Sequence, residues 1–506
     1  MTAIADSGSR WLRPAARAFD ALSDPARRER TVLLLLAGFV AAWTIYGALA
    51  KGSQDIHADV GEFFGWSRDF SLGYNHPPLG AWITGAWFWI FPRADWAAYL
   101  LAAVNLGITL WVCWKLFGDW LDDGKRVAAL ALLTLTPFYS FQALVYNANS
   151  AQMPFWAAVT LFFLRAFKRN DWRLGALTGL GAALGMLTKY WAIFLIAGLG
   201  IAALIDPRRR RFLASPVPWV MAAVGLLVLA PHLIWLAGGH SSTFDYATQS
   251  LPANPALGLL RSYRYPLTAI AYMLPVILAV ALMRPNRAAV RDMLLPSDQD
   301  RRLMSLALFI ALLLPFFTNF AFSSRLLSLW TMPNWSLLPI VLLGTPLLAV
   351  TREHAVRILT VAFAFPLIAV AVAPAVAFII HRNNSADGSA RNRLVAHEVE
   401  TEWRKATARP MRFIAGENVR GIAFYIKDAP SPIDSNDVVG TFRWIPRDRI
   451  AADGIAIVCW SDNGACIKNA ARYGQGRQSE VELHRDYLGV AGRAQRYLLI
   501  VVPPRA

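Results

Sequence analysis

The chain reads as a succession of apolar runs separated by short polar segments. Crossing about 30 Å of hydrocarbon takes a helix of roughly 17–25 apolar residues. Such runs lie near 31–50, 96–116, 127–145, 150–166, 174–188, 190–206, 217–237, 264–283, 303–321, 328–350 and 358–380. The pattern predicts about eleven transmembrane helices. The runs at 174–188 and 190–206 are short and form a hairpin around Lys189. A further stretch, Ala81 to Phe91, is too short to span; its tryptophans suit a helix lying at the membrane interface. From residue 381 the pattern turns polar, with β-like runs at Gly421–Ile426, Gly454–Trp460 and Arg496–Val502 between turn signals such as Asp453-Gly454. The expected fold class is an α-helical polytopic membrane protein with a small α/β C-terminal domain. The expected division is a cytoplasmic segment (1–30), a membrane domain (31–380) with an outer loop at 51–95, and a soluble domain (381–506).

Composition and charge sharpen this picture. Hydrophobic residues make up 56% and charged residues 16% of the 506, against roughly 25% charged in soluble domains. The net charge of +17 would point to nucleic acid in a soluble protein. Its distribution says otherwise. With the N-terminus inside, 24 of the 50 Lys and Arg fall in inner segments and seven in outer loops, the signature of cytoplasmic loops. Nucleic acid is thereby set aside as a partner, and an odd number of spans puts the tail outside. Arg-rich residues 1–30, the first run and Ala48-Leu49-Ala50 mimic a signal peptide. The run of about 20 residues exceeds the usual 7–15, so it is expected to be an uncleaved span. The Arg and Ala content and a tail that tolerates disulfides fit a bacterial inner membrane with a periplasmic C-terminal domain. Cys459 and Cys466 are expected to form a disulfide in that compartment, and Cys113 to pack inside a span. No phosphate-binding loop, zinc-protease or dinucleotide motif occurs.

The informative chemistry gathers on the outer side. The first outer loop holds His57, Asp59, Glu62, Trp66 and Asp69, then Gly73-Tyr74-Asn75-His76-Pro77-Pro78-Leu79. Asp59 and Glu62 are three apart and share one face of a helical turn. Such a pair can hold a cation or supply a base, or it can be a plain solvated acidic loop. Tyr146, Asn147, Asn149 and Gln152 follow on the same side. Lys189-Tyr190 lies at the hairpin tip, where a lone Lys either snorkels or pairs. Arg261, Tyr263, Arg264, Arg325 and Trp330 come later, and His232 is expected to be structural. Acids, bases and aromatics converging outside suggest a site for a phosphorylated, lipid-anchored substrate.

Asp59-Val60-Gly61-Glu62, the Gly73–Leu79 segment with its Trp-rich sequel, Leu187-Thr188-Lys189-Tyr190 and Trp330-Thr331-Met332-Pro333-Asn334-Trp335 together resemble the membrane-embedded GT-C glycosyltransferases. The nearest branch in appearance is family 39 with its protein O-mannosyltransferases; the lipid A aminoarabinose and galacturonic acid transferases look like cousins. The resemblance covers about 31–350. It implies a GT-C fold, a polyprenyl-phosphate sugar donor and inverting transfer to a lipid, glycan or protein acceptor such as lipopolysaccharide. It implies Asp59 as catalytic base and His76 and Lys189 toward the donor phosphate; the outer-side residues themselves add Glu62 as the partner of Asp59 or an acceptor binder, and one of Arg261 or Arg264 as a further phosphate cation. Trp66, Tyr74, Asn149 and Tyr190 would shape the substrate pocket. Asn149 departs from the Asp that many relatives carry there. No cofactor is expected, since Lys and Arg can neutralise one phosphate; a divalent ion at Asp59 and Glu62 is the alternative. The rival reading is a transporter or lipid flippase, disfavoured because no internal repeat or mid-span charge is evident.

Overall fold

The computed structural model describes residues 11–238, 262–322, 326–385, 389–434 and 447–505. Helices dominate up to Arg382, and five of the described ones are long and apolar enough to cross a membrane: Arg28–Ala50, Asp95–Gly118, Val217–Ala237, Gln299–Asn319 and Arg352–Arg382. Two bent pairs raise the number to seven: Asp123–Thr134 with Pro137–Leu144, bent by 84°, and Arg264–Ala271 with Leu274–Leu282, bent by 60°. The described helices therefore do not resolve into eleven straight spans. Three departures have plain causes. The helix Ala148–Arg169 opens with a polar turn, and Ala192–Ile205 has only 14 residues. The run at 328–350 is a 3-10 stretch, Ser328–Leu337, followed by the short helix Leu338–Leu343. Pro333 and Pro339 carry no amide hydrogen there, so a continuous α-helical ladder cannot form. The interfacial expectation at 81–91 corresponds to the helix Leu79–Ile90, whose Trp89 and Ile90 are exposed.

Small residues bring the helices together. A Cβ on Gly179 would meet the Met221 carbonyl oxygen at 2.3 Å, so Trp172–Thr188 and Val217–Ala237 approach backbone to backbone. The basic segments assigned to the inner side are laced together by ion pairs: Arg28–Asp123, Lys115–Glu29, Arg165–Asp119, Arg208–Asp300 and Arg352–Asp20.

The C-terminal part carries strands β1 (Phe413–Gly416), β2 (Ser431–Asp434), β3 (Ile455–Trp460), β4 (Arg477–Leu483), β5 (Asp486–Tyr487), β6 (Val490–Ala491) and β7 (Gln495–Val502). Five form a sheet in the order β2-β1-β3-β7-β4, with β5 and β6 paired separately. β1 runs parallel to both β2 and β3, and β7 runs antiparallel to β3 and β4. Cys459 on β3 is bonded to Cys466, with Cα atoms 5.7 Å apart. The strand expected at Gly421–Ile426 is instead the helix Val419–Tyr425. It is apolar on two sides. Val419, Ile422 and Ala423 face the sheet core, while Phe424 packs edge-on against Phe64 and Phe88 of the membrane domain. Such a doubly buried run has no period that separates helix from strand.

This domain is bolted to the segment 52–95. Asp55, whose side chain is fully buried, accepts from Arg485 Nη1 at 2.8 Å and from the Arg393 amide at 2.9 Å. Asp95 accepts from the Tyr425 hydroxyl at 2.7 Å and Arg393 Nη2 at 2.8 Å. The Arg93 guanidinium donates to the Ile426 and Lys427 carbonyls, both at 2.7 Å.

Candidate active site

Asp59 stands in the first turn of the helix Ala58–Ser67, where partial positive charge at the helix start favours a carboxylate. His57 caps that helix, its Nδ1 accepting the Asp59 amide at 3.2 Å. A second helix start meets the same carboxylate. Asn147 caps Ala148–Arg169 in a reciprocal box: its Oδ1 accepts the amides of Asn149 and Ser150, while Ser150 Oγ accepts the Asn147 amide. That leaves Asn147 Nδ2 to donate to Asp59 Oδ2 at 3.0 Å.

The same helix grips Lys189. Asn149 and Gln152, three apart, face one way. Asn149 Oδ1 accepts the Lys189 ammonium at 2.5 Å, and Gln152 Nε2 donates to the Lys189 carbonyl at 2.7 Å. The ammonium also lies 4.6 Å from the centre of the Trp330 ring. Lys189 occupies the turn between two helices, where burial pushes its pKa down to about 7, against the pull of the nearby Asp59 carboxylate.

His76 lies within electrostatic reach of both groups. Burial, together with the charges of Lys189 and Arg420, pushes it down to about 4, so its ring is neutral near neutral pH. Trp66 stacks on Tyr74 at 5.3 Å and meets His76 edge-on at 5.8 Å. Tyr74 is fully buried, its hydroxyl donating to the Asp69 carbonyl and accepting the Ser71 amide. Trp66 and Tyr74, both buried, thus pack behind His76 in the loop. The Tyr190 hydroxyl pairs with His232 Nε2 at 2.6 Å, and His232 Nδ1 pairs with the Leu72 carbonyl at 2.6 Å. Since a carbonyl only accepts, Nδ1 carries the proton and Tyr190 is the donor to Nε2.

Glu62, one turn further along the same helix, meets the C-terminal domain. Its Oε1 lies 2.7 Å from Arg420 Nη1 of the C-terminal domain. Asp59 and Glu62 therefore answer to different partners, and among the described residues no group of three His, Cys, Asp or Glu is placed to hold a metal ion. Arg264 is exposed and its guanidinium lies against the Tyr263 ring. Arg261 falls outside the described residues. Sequence reasoning assigned no role to Asn147, Gln152, Trp330 or Arg420. The Asn-x-x-Ser spacing at 147–150 signals a cap and with it Asn147. Arg420, far along the chain from Glu62, carries no such signal.

Comparison with known proteins gives a consistent picture. A family described as dolichyl-phosphate-mannose-protein mannosyltransferase matches residues 75–235. The lipid A galacturonosyltransferase RgtD of Rhizobium johnstonii is 25% identical over 240 residues, covering 46% of this chain and 48% of that protein. The lipopolysaccharide core galacturonosyltransferase RgtB of the same organism is 28% identical over 210 residues, covering 40% of this chain and 41% of that one. The matched region thus spans about half the length of these relatives at most. ArnT from Cupriavidus metallidurans, solved bound to undecaprenyl phosphate, aligns with a TM-score of 0.59 at 14% identity, over 92% of this chain and 97% of that one. Its apo form gives 0.57 at 13% identity, over 93% and 97%. The chain is a multi-pass membrane protein of GT-C fold, similar over residues 75–235 to the mannosyltransferase family and over part of its length to the galacturonosyltransferases.

Proposed function

We propose that the protein is an inverting glycosyltransferase of the bacterial inner membrane, moving a sugar from a polyprenyl-phosphate donor to lipid A or the lipopolysaccharide core at the periplasmic face. The observation that carries this reading is the meeting of the Asp59 carboxylate, the Lys189 ammonium and the neutral His76 on the outer loops of a GT-C fold. Asp59 takes the proton of the acceptor hydroxyl, as a positioned base does. The acceptor oxygen bonds to the anomeric carbon on the face opposite the donor oxygen, whose bond breaks. The electron pair leaves with the lipid phosphate, and Lys189 and His76 stabilise the charge developing there. One phosphate needs little further compensation, so no metal is invoked. The sidedness rests on the inner excess of Lys and Arg.

The acceptor reading has its own support. A cleft of about 520 Å³ lies between the interfacial helix and the C-terminal domain, lined by Arg68, Arg93, Lys427 and Asp428 beside the exposed Trp89. Three cations against one acid at the membrane interface suit a phosphorylated glycolipid head group. Mass spectrometry of envelope lipids tests the function. Loss of one defined sugar on deletion, restored by the wild-type gene, is expected. An unchanged sugar profile with a lipid or solute in the wrong compartment would favour transport instead.

A further inference from the structure

The tail of this chain is more than an appended domain. We propose that the C-terminal domain completes the catalytic centre through Arg420, a positioning residue that holds the Glu62 carboxylate in the site. The inference rests on the transferase reading above and assigns a part of that site to the tail.

Four observations carry it. The Arg420–Glu62 contact is short, 2.7 Å, and largely shielded, the side chains being 28% and 11% exposed. The root of Arg420 is also fixed. A Cβ on Gly61 would fall 2.3 Å from the Arg420 carbonyl oxygen, so the helix Val419–Tyr425 lies directly on the helix Ala58–Ser67 beside Glu62. A second such contact, between Gly65 and the Pro432 ring on β2, sets the same helix one turn further on. The Arg420 charge, finally, is felt at His76 together with that of Lys189.

Docking of the tail has separate ties. Asp55 with Arg485, Asp95 with Tyr425 and Arg393, and Arg93 with the 426–427 carbonyls involve none of the residues around Asp59. The Arg420–Glu62 pair is therefore not needed to hold the domain in place. It sets the rotation of the acid helix, on which Glu62 shares a face with Asp59. A displacement of about 1 Å in such a group costs on the order of a hundredfold in rate.

The test uses the full-length protein expressed in the deletion strain, and the same protein purified with undecaprenyl phosphate as the binding probe. The variants are Arg420→Gln, Arg420→Lys and the exchange Glu62→Arg with Arg420→Glu, with Asp59→Asn as reference. Arg420→Gln is expected to reduce lipid modification by at least about tenfold while undecaprenyl phosphate binding stays within about threefold, because positioning and not donor affinity is lost. Arg420→Lys recovers part of the activity. The exchange restores the thermal midpoint and not the transfer, since it returns the ion pair with the carboxylate on the wrong side. Modification by Arg420→Gln within twofold of wild type overturns the proposal, and so does an exchange variant that transfers normally, which would make the pair mere docking. Should Arg420→Gln fail to accumulate, Arg420→Lys and the exchange decide by the same criteria. If Asp59→Asn is inactive while Arg420→Gln is fully active, this proposal alone falls. If Asp59→Asn transfers like wild type, the transferase mechanism falls and this proposal with it.

Discussion

At the scale of residues, the pair Lys189–Asn149 sets the electrostatics of the site. Facing a neutral amide, the buried ammonium gains no ion pair from Asn149, and desolvation brings it down to about 7. The protonated fraction of Lys189 therefore falls as pH rises through that value. Between about pH 7 and 10.5 the unfolded chain holds the extra proton, so over this window the group makes stability rise with pH. Phosphate binding goes the other way. Undecaprenyl phosphate affinity of the wild type is predicted to decline above pH 7 relative to Lys189→Arg, whose guanidinium stays charged. Asn149→Asp places a carboxylate against the ammonium and should move the decline up by about 1–3 pH units. Titrating binding by fluorescence or native mass spectrometry checks both; parallel curves for wild type and Lys189→Arg would remove Lys189 from the donor phosphate.

At the scale of elements, the site is made where short helices start and touch. The cap at Asn147 orients one helix and delivers the amide that holds Asp59, so structure and chemistry share one side chain. Asp59, Glu62 and the lone Lys189 stood out in the sequence because charged residues are rare along so apolar a chain. The path of 328–350 was harder to read, since hydropathy measures apolar length and not whether prolines break the ladder. Gly421–Ile426 misled for a related reason: a short run buried on both sides looks alike as helix or strand. The contact at Gly61 allows a sharp prediction. Gly61→Val drives two methyl groups toward the Arg420 carbonyl, an overpacking worth about 1–3 kcal/mol. Transfer should fall at least as far as in Arg420→Gln while the membrane domain still accumulates, measured as modified lipid per unit of membrane protein. Full activity would show that the two helices can part without consequence.

At the scale of the molecule, a helical bundle laced by ion pairs among its basic segments presents the candidate site to a domain clamped over the segment 52–95. Charge asymmetry along the sequence remains the ground for the proposed sidedness. The clamp was illegible, because Asp55, Asp95 and Glu62 find their partners more than half the chain away and a single sequence carries no record of such pairings. Removing Asp55 strands the Arg485 charge; Asp55→Ala is expected to cost about 3–5 kcal/mol, read as a lower thermal midpoint and earlier proteolysis of the tail. The proposed mechanism sets Lys189 and not a metal against the donor phosphate, so transfer should persist in chelator; strict dependence on an added divalent ion would refute that part of the mechanism. The central claim, that Asp59 is the base of a glycosyl transfer, is tested most directly by Asp59→Asn. The variant keeps the hydrogen-bonding shape of the side chain and loses its basicity. Lipid mass spectra of the deletion strain carrying it, at wild-type protein level, should show the same missing sugar as the deletion. A spectrum matching the wild type would contradict the account.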